Sequence, residues 1–133
     1  MRSPGATTGR VLNVSDYLPK FSGASATFTA SAAITGGRLV AVAGTRLVAQ
    51  ASADSATVIG VAAFDGVTGD PVTVYTRPTG VHSLTASGAI ATGAKVAAAA
   101  TGKVQTVAAL LNPIGIALEA ATADLDVVDV MFI

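Results

Sequence analysis

Short apolar runs alternate with polar or small residues along this chain, and the runs recur in a fixed order. Thr27-Phe28-Thr29, Arg38 to Ala43, Leu47 to Ala49, Val58 to Ala63 and Val72 to Tyr75 read as strands. Gly36-Gly37, Gly44-Thr45-Arg46, a polar loop from Ala51 to Ala56, and Asp65 to Asp70 punctuate them. The same order then returns. Strands are expected at Val81 to Thr85, Lys95 to Ala99, Lys103 to Val107, Ile114 to Leu118 and Asp126 to Ile133, with turns at Thr92-Gly93 and Thr101-Gly102.

The recurrence is a duplication. Phe28-Thr29-Ala30-Ser31-Ala32-Ala33-Ile34 reappears as Leu84-Thr85-Ala86-Ser87-Gly88-Ala89-Ile90, 56 positions later. At the same spacing Gly37, Val40, Thr45, Val48, Asp70, Val72 and Val74 map onto Gly93, Val96, Thr101, Val104, Asp126, Val128 and Val130. Ile59-Gly60-Val61-Ala62 against Ile114-Gly115-Ile116-Ala117 is one position shorter, which marks a single deletion before the register recovers.

Comparing the copies decides segments that neither decides alone. Ala117 to Asp124 is rich in helix formers, yet its counterpart Ala62 to Asp70 contains Gly66 and Gly69. Strand and loop are therefore expected, with at most one helical turn. Leu39 stands opposite Lys95 and Val40 opposite Val96, so the valine side is expected to face the core and the Leu39 side the rim. Val128, Val130 and Phe132 share the face of Val72 and Val74. Asp129, where the first copy has Thr73, makes the other face at least partly wet. The expected fold is all-β: a small barrel or sandwich of short strands with internal pseudo-twofold duplication. Repeat one covers about 24–76 and repeat two about 81–133, within a single β domain at 23–133. A chain of 133 residues fits one such domain and can bury a core without staples.

Residues 1–22 stand outside the repeat. Pro4, Gly5 and Gly9 interrupt regular structure, and Tyr17, Leu18, Pro19 and Phe21 crowd an aromatic-apolar patch into five positions. Arg2, Arg10 and Lys20 against Asp16 make the segment net positive. It reads as an extended N-terminal arm carrying anchors for another surface, with Arg2, Arg10, Tyr17, Lys20 and Phe21 as candidate contact residues.

Charge narrows the partners. Eight basic residues balance eight acidic ones, so the basic excess that phosphate neutralisation requires is missing and nucleic acid is not an expected partner. Only 12% of residues are charged while 51% are hydrophobic, so part of the surface is expected to be covered by another molecule. No stretch approaches ~20 continuous apolar residues, and the N-terminus lacks a signal-peptide core, so neither a membrane span nor export by that route is expected. Without cysteine there are no disulfides or thiolate metal sites, which fits synthesis in a reducing cytosol.

Candidate chemistry is sparse. His82, the only histidine, has Val81 and Ser83 as neighbours in a strand and no nucleophile motif to serve, so a structural or interface role is expected. Asp124-Leu125-Asp126-Val127-Val128-Asp129 lacks the central Gly and distal Glu of a calcium loop and reads as solvated carboxylates. Glu119 and these aspartates make an acidic end that faces a basic arm. Gly36-Gly37, Gly66 to Gly69 and Gly93 are not phosphate cradles, since none opens a helix; their repetition points to turns needing positive φ. Gly102-Lys103 at a hairpin invites comparison with carrier domains, but the equivalent of Lys103 is Leu47 and the methionine flanks are missing. No catalytic, cofactor or metal residues are assigned.

Several stretches carry a family look. Val58-Ile59-Gly60-Val61-Ala62, Gly69-Asp70-Pro71-Val72-Thr73-Val74, Ala86-Ser87-Gly88-Ala89-Ile90-Ala91-Thr92-Gly93-Ala94-Lys95-Val96 and Ile114-Gly115-Ile116-Ala117-Leu118-Glu119-Ala120 resemble the head-decoration, or capsid cement, proteins of tailed bacteriophages. The resemblance covers roughly residues 30 to 133 and rests on patterned Gly, Val and Ala. It implies a non-enzymatic virion protein, made in the host cytoplasm and bound to the major capsid protein on the head exterior. Such proteins are commonly homotrimers where capsomers meet, with a compact β domain and an arm reaching onto the shell. The arm's residues would then belong to a capsid or oligomer interface. The competing reading is a glycan- or receptor-binding module of a tail fibre or surface layer. Sugar sites stack aromatic rings, and this chain has no Trp, two Tyr and four Phe, which weighs against it.

Overall fold

Val-rich alternation makes strands here, and glycine and small polar residues end them. A computed structural model describes residues 25–77, 80–107 and 112–133; the arm, with Arg2, Arg10, Tyr17, Lys20 and Phe21, lies outside the described residues. The strands are β1 (Ser25–Ala30), β2 (Leu39–Gly44), β3 (Leu47–Gln50), β4 (Val58–Ala62), β5 (Pro71–Thr76), β6 (Val81–Ser87), β7 (Lys95–Ala98), β8 (Val104–Thr106), β9 (Pro113–Ala117) and β10 (Asp124–Phe132). Ala117 ends β9 and a loop follows, as the comparison of copies predicts.

Each copy closes on itself. The first barrel runs β1-β3-β2-β4-β5 and the second β6-β8-β7-β9-β10, the same order displaced by one repeat. Closure removes the exposed edges that would template aggregation. In both barrels the first and third strands pair in parallel, Thr29 beside Leu47 and Ala86 beside Val104, while the other pairings are antiparallel. Even the isolated bridges match, Ile34 to Gly66 and Ile90 to Ala121.

All seven core residues of the first barrel have buried counterparts in the second. Ala30, Ile34, Val40, Val48, Ala62, Val72 and Val74 form the core of the first barrel. Their counterparts Ala86, Ile90, Val96, Val104, Ala117, Val128 and Val130 form that of the second. Period-two alternation sends these residues inward, and at about 25 cal/mol per Å² of buried apolar surface they supply most of the drive to fold.

Glycines recur where the backbone needs them. Gly37 and Gly93 hold equivalent turns at φ of 81° and 83°, whereas Gly36 and Gly66 lie outside the positive-φ region and instead face the Phe64 backbone and the Val72 side chain. Gly60 and Gly115 allow close strand contact: a Cβ on Gly60 would overlap the Tyr75 carbonyl, and one on Gly115 would sit 2.5 Å from the Met131 oxygen.

One expectation is overturned. Leu39 is not at a rim; it is fully buried, while its counterpart Lys95 is exposed. The outward side of the first barrel is covered by the second, and Leu39, Ala41, Ala51, Val58 and Val61 join the second barrel's core cluster. Polar contacts flank this seam. The Gly102 N–H donates to the Ala51 carbonyl at 2.9 Å, the Asp54 N–H to Ala98 at 2.9 Å, and Arg38 Nη1 to Thr101 at 3.0 Å. Asn112 Nδ2 donates to the Asp54 carbonyl at 3.0 Å, and Arg77 Nη2 reaches the Ile133 carbonyl at 3.1 Å. The seam uses different positions of the two copies on its two sides.

Candidate docking surfaces

Three strands of the second barrel present several large apolar side chains to solvent on one face. Cross-strand register places Met131 of β10 beside Val81 of β6 and Ile116 of β9. Two residues back along β10, Asp129 pairs with Ser83, and its carbonyl accepts the Leu118 N–H at 2.8 Å; two further back, Val127 pairs with Thr85. Val81, Leu118, Val127 and Met131 are between 41% and 63% exposed. Large side chains gathered on one face, rather than scattered, mark an interaction surface. Asp129 supplies the polar centre, with Ser83 Oγ donating to its Oδ1 at 2.7 Å.

The aspartates of the C-terminal segment point to separate partners. Asp124 pairs with Lys103 Nζ at 2.9 Å. Asp126 Oδ2 accepts from the backbone N–H and hydroxyl of Thr122 and from the Ala123 N–H, which hold its carboxyl below the usual range. Among the described residues no three His, Asp or Glu side chains converge as metal ligands, and no enclosed pocket is present. Lys103 follows the turn at Ala100–Gly102 and is occupied by its carboxylate partner.

His82 lies where the barrels meet. Its ring is 6.1 Å from Tyr75 of the first barrel and 5.3 Å from Phe132 of the second, centroid to centroid. Partial burial among these rings lowers its pKa below the ordinary 6.5. The sequence reading missed the apolar face itself. Its signal was present in Ile116, Val127 and Met131, which replace Val61, Pro71 and Tyr75 of the first copy, but only strand pairing brings them together.

Known proteins share the sequence pattern and the fold. Residues 21–132 match the family model of phage cement proteins. No curated protein matches the chain. Among solved structures, the crystal structure of the N base of head fiber gp8.5 in bacteriophage phi29 is similar, with a TM-score of 0.69 and 21% sequence identity. The similarity covers 82% of this chain and 92% of that one, and shows a shared fold.

Proposed function

Since the chain belongs to the phage cement protein family, we propose that it binds the outer surface of a bacteriophage head and stabilises the shell by bridging neighbouring capsomers. Family membership gives it a structural, capsid-associated role. The bridging rests on the seam, whose buried apolar contacts couple two closed barrels. A body that touches several shell subunits binds best when they hold one spacing. By linkage it then favours that spacing over rupture.

The exposed face of β9, β10 and β6 is one contact surface in this reading, and the arm is another. An extended segment bearing Tyr17 and Phe21 as anchors and Arg2, Arg10 and Lys20 as charges can add to a sheet edge of a major capsid protein. Assembly as a homotrimer would join such contacts and raise avidity by ~10²-fold or more. The role is non-enzymatic and uses neither nucleic acid nor a cofactor. Co-purification with intact heads at a fixed ratio to the shell subunit is the expected result. Removing residues 1–20 and measuring occupancy on purified heads tests the arm: undiminished binding would rule it out.

A further inference from the structure

The seam between the barrels has two unlike halves, so each barrel retains a half that it does not use. The first barrel offers Leu39 and Val61; the second offers Ala98 and the turn with Thr101 and Gly102. On the second barrel the unused half comprises Lys95 and Ile116, counterparts of Leu39 and Val61, beside the exposed Met131. On the first barrel it comprises Val42, Thr45 and Arg46, counterparts of Ala98, Thr101 and Gly102. Val42 is 49% exposed and Met131 41%, and Lys95 and Arg46 are exposed as well. If these halves fitted, a second copy would dock end to end, a third would follow, and the series would run on unless its rotation closed it.

We infer that Arg46 and Lys95 keep copies of this chain from stacking through that surface. Gly102 lies in the seam, against Leu39 and Arg38. It is buried at φ of 74°, and a Cβ there would lie 2.7 Å from the Leu39 carbonyl oxygen. In an end-to-end contact its place is taken by Arg46, whose Cβ would meet that obstacle, and Leu39 is replaced by Lys95. Overlap and two like charges then occupy the point where Gly102 and Leu39 meet in the internal seam. The polar latches are lost too: Arg38, which holds Thr101, is replaced by Ala94, and Asn112, which holds Asp54, by Thr57. Repeat arrays end in capping units with altered outer faces, and here the two copies cap each other's series. The apolar face beside Lys95 is thereby denied to a second copy and left for the shell; that last step alone rests on the proposed function.

Sedimentation of the full chain without heads, over a wide concentration range, tests the exclusion. The unaltered protein is expected to give one species whose sedimentation coefficient does not grow with concentration, whether one chain or a closed oligomer. Arg46→Gly combined with Lys95→Leu should yield a series that lengthens as concentration rises. Lys95→Glu keeps a soluble surface and turns the repelling pair into an attracting one, so it should show a smaller shift in the same direction that salt removes. Open-ended growth of the unaltered protein, or folded variants that sediment as it does, would overturn the inference. Failure of the unaltered protein to bind purified heads, with the variants still lengthening as expected, would instead count against the functional reading alone.

Discussion

Gly60 and Gly115 hold the same place in the two barrels for the same reason: the neighbouring strand's carbonyl occupies the space a side chain would need. Alanine at either position forces β4 from β5, or β9 from β10, and each change is expected to cost about 2–3 kcal/mol in chemical denaturation. The sequence shows these glycines as a repeated motif but not their purpose, because their obstacles lie 15 or 16 residues away, at Tyr75 and Met131, in a different strand. His82 carries a pH dependence of known sign. Its folded pKa lies below 6.5, so the folded state binds the proton less readily than the unfolded one. Its contribution is complete above the unfolded value and declines as pH falls through it. Unfolding midpoints measured at pH ~7.5 and ~5 should therefore differ more in the unaltered protein than in His82→Gln. Asp126 behaves oppositely: its contribution is present above 3.8 and is lost as pH falls through its lowered folded value.

At the scale of the element, strands and turns were legible because two copies report on each one. Ala117 to Asp124 would read as helix alone; its glycine-bearing counterpart identified it as strand end and loop. The parallel contacts of β1 with β3 and β6 with β8 were not legible, since they involve one or two residue pairs across an intervening strand and leave no periodic trace. Leu39 was misplaced for a related reason. Its counterpart Lys95 correctly describes an exposed outer face, but only the second barrel's outer face is exposed at that point. The difference makes a paired prediction. Leu39→Ala should cost about 2–5 kcal/mol, as expected for a large buried side chain, whereas Lys95→Ala should fall within about 0.5 kcal/mol of no effect. Equal costs in denaturant unfolding would contradict the asymmetric seam. Because Leu39, Val58 and Val61 belong to a cluster shared with the second barrel, the barrels are expected to melt in a single calorimetric transition.

For the whole molecule, the patterned Gly, Val and Ala residues carried the family, and the match over residues 21–132 shows it. What they could not carry is how two small barrels become one body, because that depends on where the copies differ: Leu39 against Lys95, Gly102 against Arg46, Val61 against Ile116. The interior residues are duplicated to build the barrels, whereas the outward residues at the seam differ between the copies. The first barrel's outward side meets the other barrel, and we place the shell on the remaining apolar face. Replacing Val127 and Met131, 63% and 41% exposed, by Ser should leave the barrels folded, since neither belongs to a core cluster, while weakening attachment to heads. The most direct test of cementing is the temperature at which heads lacking the protein rupture, followed as purified protein is added back. A cementing protein raises that temperature, with the rise saturating at a fixed ratio of bound protein to shell subunit. Saturated binding with an unchanged rupture temperature would contradict it.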